Sequence, residues 1–284
     1  MGAEDQTTQG SQGNPLATGS SHRLFLTLYP GTDHESQIRC RRVVTLLGSR
    51  KGCKFYLRHR RISSLHVAIV NDGNQVVAVD LVTPTGTLLN DLKMSHERLS
   101  DGDMLTIATW KLRVDLKDSS DATNPGVDPV ALEIAPSTVA LEHVGTGKVL
   151  HPHRDVCVLG RQNGCDIVID DTSVSRVHAL LFNYFGHPSI FDLLSRNETF
   201  VNDEPVKFRV LEDKDIITIG ESLFRVRVVG SAVTAPAPTN KKAQDGTAAL
   251  TQEQVNGDMI DIRAAEAAQR WRIAEKVPKS ARKN

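Results

Sequence analysis

Aromatic side chains make up only 5% of this 284-residue chain, which leaves the core to Val, Ile and Leu and removes the stacking platforms of a single-strand nucleic-acid groove. Cysteine is equally scarce, at four. None forms the paired Cys-x-x-Cys spacing of a zinc site, and no disulfide framework is expected. Cys53 and Cys165 occupy matching positions of a repeat described below, which suits small buried apolar residues. No apolar run reaches membrane-spanning length, and the N-terminus lacks the charged-then-apolar layout of a signal peptide. The expected chain is therefore soluble and cytoplasmic, with no membrane partner. Nucleophile elbows, nucleotide loops and metal-ligand clusters are also missing, which argues against an enzyme and against any cofactor. His151-Pro152-His153 has no carboxylate or Cys at useful spacing and reads as a loop, not a metal site.

What the chain has is a duplication. Gly160-Arg161 recurs as Gly48-Ser49, Ser175-Arg176-Val177-His178 as Ser63-Ser64-Leu65-His66, and Asp192-Leu193 as Asp80-Leu81. Thr199-Phe200-Val201-Asn202-Asp203 recurs as Thr87-Leu88-Leu89-Asn90-Asp91, always at an offset of 112 residues. A gapless repeat of that length is a duplicated domain and not a solenoid. Net charge is zero but unevenly shared: residues 22–118 carry 15 basic and 10 acidic side chains, residues 131–230 carry 10 and 14. That asymmetry points to contact between segments or with a partner.

Residues 1–21 are rich in Gly, Ser, Thr and Gln and form a disordered tail on composition. From Leu24 the pattern becomes short aliphatic runs such as Val43-Val44-Thr45-Leu46-Leu47 and Val67-Ala68-Ile69-Val70, with Asn71-Asp72-Gly73-Asn74 as a hairpin turn. Neither repeat shows helical periodicity, so both read as all-β sandwiches. The expected organisation is a tail (1–21), a first domain (22–118), a linker (119–130), a second domain (131–230) and a C-terminal segment (231–284). Ile260, Ala264, Ala267 or Ala268, and Trp271 in that last segment share one face of a short helix.

The second copy strongly resembles the forkhead-associated (FHA) domain, a phosphothreonine-peptide-binding β-sandwich. The resemblance rests on Gly160-Arg161, Ser175-x-x-His178, Ser195-Arg196-Asn197 followed by Thr199-x-x-Asn202, Cys165-Asp166-Ile167, and Asp213-x-Asp215-x-Ile217-x-Ile219-Gly220. With the first copy it covers most of residues 22–230. It implies an adaptor in kinase-dependent signalling that holds a phosphothreonine protein through Arg161, Ser175, Arg196 and Asn197, with Arg176 secondary. The chemistry agrees: a phosphate dianion needs a planar cationic fork and short donors, and a side-chain amide both donates to and accepts from peptide backbone. Gly160, His178, Thr199 and Asn202 are framework residues, His178 as a loop brace and Asn202 as a turn former. Glu198 stands where the family has Gly, which bears on peptide preference.

The first copy is degenerate. Ser49 replaces the phosphate-reading Arg, Pro84 the second Arg and Thr85 the Asn, whereas Ser63 and His66 survive. Arg50, one residue on, points differently and compensates only in a reshaped loop. Nine basic and no acidic residues lie between Ile38 and Val70, a solvated face or a surface for an anionic partner. Two rival readings follow: a phosphorylation-independent scaffold, and, less favoured, a nucleic-acid binder using the first domain. Thr7 or Thr8, beside Glu4-Asp5, is a candidate intramolecular phosphothreonine ligand.

Overall fold

The computed structural model of the protein describes residues 22–118 and 138–229, together with the pair Ile260–Asp261. The N-terminal tail with Thr7 and Thr8, the linker, and the C-terminal helical stretch otherwise lie outside the described residues. At Ile260–Asp261 itself the backbone is a strand and not a helical turn, paired parallel to Phe55–Tyr56.

The fold is all-β, two sandwiches built alike. In the first, one sheet runs Ser36–Cys40, His22–Leu28, Trp110–Asp118, Met104–Ile107, Thr87–Leu89, Leu92–Met94. The facing sheet runs Ile260–Asp261, Phe55–Tyr56, Val44–Gly48, Val67–Asn71, Val76–Asp80, His96–Arg98. The second sandwich repeats the facing sheet as Ile167–Val168, Val156–Gly160, Ala179–Tyr184, His187–Asp192, Phe208–Val210. Turns take the residues expected of them: Asn90-Asp91 and Asn202-Asp203 all have positive φ, which Asn and Asp tolerate best after Gly.

Period-two alternation divides each facing sheet between two cores. Leu47, Val67, Ile69 and Ala78 point into the first sandwich with Leu26, Phe55, Leu105 and Leu112. Their neighbours Val44, Leu46, Ala68, Val70 and Val79 point out of it. In the second sandwich Cys157, Leu159, Ala179, Leu181 and Ile190 point inward, and Val156, Val158, Leu180, Phe182 and Phe191 outward. The two outward sets form one continuous buried cluster. A lone antiparallel sheet normally leaves one face wet; here Val44–Gly48, Val67–Asn71 and Val156–Gly160 are buried at every position, because the domains pack sheet against sheet.

The packing pairs equivalent parts of the repeat. Val44 with Val156, Leu46 with Val158, Cys53 with Cys165, Val70 with Phe182 and Leu81 with Leu193 all belong to the shared cluster. Polar contacts at its rim are reciprocal as well: Arg50 Nη1 donates to the Leu194 carbonyl at 2.5 Å, and Gln162 Nε2 to the Val82 carbonyl at 3.1 Å. A Cβ on Gly52 would stand 3.1 Å from Leu194 Cδ1, and one on Gly164 2.8 Å from Val82 Cγ1. At the opposite end the Phe185 N–H donates to the Asp72 carbonyl at 2.8 Å, with the Phe185 ring over Gly73. This is the self-complementary pattern of a two-fold interface, made within one chain. Arg98 to Asp155 (3.5 Å) and His96 to Asp166 (3.2 Å) cross it, joining the basic first domain to the acidic second.

All four cysteines are free and buried. Burial pushes the Cys40 thiol up to about 12 and those of Cys53 and Cys165 to about 11, so they pack as inert apolar groups.

Candidate functional site

Gly160 ends its strand where a side chain cannot fit: a Cβ would lie 2.2 Å from the Arg176 carbonyl oxygen. That closeness lets the Arg161 and Gln162 N–H groups donate to the Ser175 and Arg176 carbonyls, both at 3.1 Å. Arg161 is thereby zipped beside Ser175. The Arg196 N–H donates to Ser175 Oγ at 3.1 Å, leaving the hydroxyl proton for a ligand. Asn197 Nδ2 donates to the Ser173 carbonyl at 2.8 Å, which spends one of its donors and leaves its carbonyl and second N–H. Four of the expected site residues, Arg161, Ser175, Arg196 and Asn197, thus gather at one end of the sandwich from three separate loops.

Arg161, Arg176, Arg196 and Asn197 are exposed and Ser175 half-buried. Among the described residues, no carboxylate pairs with Arg161, Arg176 or Arg196. Arg176 contributes its carbonyl to the framework, accepting also from Cys165 Sγ at 3.4 Å.

His178 and Asp192 hold these loops. The Ser175 N–H donates to His178 Nδ1 at 3.1 Å, so the proton sits on Nε2, which donates to the Glu198 carbonyl at 3.0 Å. Asp192 accepts from the Ser195 N–H at 3.0 Å, Ser195 Oγ at 2.5 Å and Thr199 Oγ1 at 2.9 Å. Lys207 Nζ reaches the same carboxylate at 3.3 Å. Asn202 lies in a turn away from the three loops, bonded to Asp215 Oδ1 at 2.8 Å and to the Ile216 N–H at 2.9 Å. Glu198 has a φ of 55°, the conformation its glycine counterpart Gly86 also takes at 70°; a non-glycine residue there carries ~1–2 kcal/mol of strain.

The first copy keeps the brace and loses the reader. The Ser63 N–H donates to His66 Nδ1 at 3.0 Å, and His66 Nε2 faces the Gly86 carbonyl at 3.2 Å. Ser49 Oγ donates to the Ile62 carbonyl at 2.9 Å, and Thr85 Oγ1 to the Arg61 carbonyl at 2.9 Å. Pro84 has no N–H to give Ser63 Oγ. Arg50 does not stand in for the missing cation. Its guanidinium is turned across the interface to the Leu194 carbonyl, because the residue after the zipped position faces the neighbouring sheet. Sequence reasoning missed this bracing role; the signal was only that residues 50 and 162 both carry long donors.

Burial lowers the pKa of both His66 and His178. Each is neutral when folded, while the unfolded imidazole protonates near its ordinary value of ~6.5. The unfolded state thus binds the extra protons, so stability is full above about pH 6.5 and falls below it, by up to ~1.4 kcal/mol per pH unit for each imidazole. Urea unfolding at about pH 7.5 and 5.5 is expected to show a lower midpoint in acid. A His66→Gln, His178→Gln protein whose slope matches wild type would sink this account.

Among the described residues, no group of three or more His, Cys, Asp or Glu side chains is placed to hold a metal, His151 and His153 included. Nor is any helix there long and apolar enough to cross a membrane.

The FHA domain family profile matches residues 45–108 and 157–220. The oxoglutarate dehydrogenase inhibitor of Corynebacterium jeikeium is 31% identical over 110 residues, covering 37% of this chain and 76% of the inhibitor. The chain belongs to the FHA domain family. The ATP-binding/permease protein Rv1747 of Mycobacterium tuberculosis, an ABC transporter, is 45% identical over 62 residues, 22% of this chain; the chain spans only 7% of that protein. A solved FHA domain described for phosphothreonine-dependent interactions is 30% identical, covers 33% of this chain and 99% of its own, and has a TM-score of 0.32. FHA domains are non-catalytic modules that bind phosphothreonine peptides.

Proposed function

We propose that this protein is a phosphothreonine-dependent adaptor of kinase signalling in the cytoplasm, reading its partner through the second FHA domain. The domain limits taken for this reading are 22–118 and 131–230. Arg161 clamps the phosphate, with the Ser175 hydroxyl as a short donor and Arg196 and Arg176 deepening the positive field. Asn197 holds the ligand backbone with the amide groups left after its bond to Ser173. The observation that carries the reading is an exposed arginine without a carboxylate partner among the described residues, zipped beside Ser175 in one copy and replaced by a spent serine in the other. Calorimetric titration with a phosphothreonine peptide and its unphosphorylated twin tests it: only the phosphorylated form is expected to bind. Equal binding of both would favour a phosphorylation-independent scaffold. Thr7 or Thr8 remains an internal ligand in this reading, checked by comparing phosphorylated full-length and tail-deleted protein for affinity toward an external peptide.

A further inference from the structure

The loop that follows Phe55–Tyr56 has kept its geometry and reversed its charge. In the second domain its counterpart is Asp170-Asp171-Thr172-Ser173; in the first it is Arg58-His59-Arg60-Arg61. Asp171 Oδ1 accepts the Ser173 N–H at 2.8 Å, and His59 Nδ1 accepts the equivalent Arg61 N–H at 3.2 Å. The carbonyl of Ser173 is capped by Asn197 and that of Arg61 by Thr85. Arg58 lies over the Tyr56 ring and donates to its hydroxyl at 2.8 Å. Arg60, Arg61 and Lys51 are exposed. A loop held in place while two acids, a threonine and a serine give way to three arginines and a histidine is a shaped cationic surface.

The pseudo-two-fold decides what that surface adjoins. The loops carrying Arg50 and Gln162 each touch the recognition-side loop of the other domain, at Leu194 and Val82, whereas Gly73 and Phe185 meet at the opposite end. The axis therefore runs along the strands, and the ligand-binding ends of both domains open to the same side. In the second domain, exposed Asp170 and Glu198 flank the arginines of the site, whereas the matching loop of the first domain carries only basic side chains and attracts an acidic segment more strongly.

We propose that the first domain's cationic end is a second binding site, for an acidic segment of the same partner that presents the phosphothreonine to Arg161. This rests on the reading of the second domain given above. Anchoring at Arg161 makes engagement of the acidic segment intramolecular, so a weak ionic contact adds affinity through effective concentration.

The test uses fluorescence anisotropy on the full chain with three peptides: a core phosphothreonine peptide, the core extended by a run of Glu, and the core extended by Gln. Extensions are placed on either side with spacers of about two to ten residues, at ~3.3 Å each. The Glu peptide of suitable spacing is expected to bind roughly tenfold tighter than the Gln peptide. That advantage should vanish in the Arg60→Glu, Arg61→Glu protein and shrink with added salt, while the core peptide binds both proteins alike, which also reports an intact fold. No Glu advantage, or one that survives charge reversal, overturns the second site alone. Failure of the core peptide to bind wild type overturns the phosphothreonine reading and the shared ligand together. Duplex DNA that outcompetes the Glu extension through Arg60 and Arg61 would assign the surface to nucleic acid instead.

Discussion

Arg161→Ala lowers affinity for a phosphothreonine peptide by about a hundredfold, the loss of one charge-assisted clamp worth ~1.5–3 kcal/mol, without changing the thermal midpoint. The side chain is exposed and makes no ion pair with a described residue, so its removal leaves no buried group unsatisfied. The informative companion is Arg50→Ala. Arg50 braces the loop that carries Arg196 and Asn197, through the Leu194 carbonyl. Losing one exposed bond of this kind costs about 0.5–1.5 kcal/mol at most, a few-fold in affinity through loop mobility. Titration of both variants against one peptide checks the division of roles. Equal damage from the two would mean that Arg161 is not the phosphate reader.

Leu180→Asp destabilises the whole described protein by about 4 kcal/mol or more, a large share of the ~5–15 kcal/mol typical of a folded chain. Leu180 is fully buried in the cluster between the domains, where an introduced carboxylate loses its water among aliphatic and aromatic side chains. The matched control is Val168→Asp, on the edge of the same sheet and 47% exposed, expected to stay within ~0.5 kcal/mol of wild type. Urea unfolding followed by tryptophan fluorescence reads both, since Trp110 belongs to the first domain's core. If Leu180→Asp unfolds like Val168→Asp, the two sheets are not packed as described.

The parts of the protein legible in its sequence were those written in local chemistry. Hairpin residues at 71–74, β-branched runs and the constant offset of 112 suffice for two sandwiches, because turn and strand preferences act over a few residues. The loop brace was legible too. His178 and His66 recur with the same spacing from Ser175 and Ser63, and their bonds prove identical in kind. The domain interface went unread, although Val156-Cys157-Val158-Leu159 and Val67-Ala68-Ile69-Val70 lack the apolar–polar alternation of a sheet with one wet face. The run says that both sides are covered and does not say by what; that depends on a surface more than a hundred residues away. The contact that Arg50 makes was illegible for the same reason, since its acceptor, Leu194, is 144 residues distant.

The covered sheets also bear on how the protein behaves on dilution. A self-complementary face shared by two separate chains falls apart when its concentration drops below the dissociation constant. Here both halves of the face are on one chain, so their encounter is unimolecular and does not weaken as protein becomes scarce. The first domain thus stays paired with the second at any cellular abundance. A protein built this way and present in few copies keeps the shared face closed without depending on a second molecule to complete it.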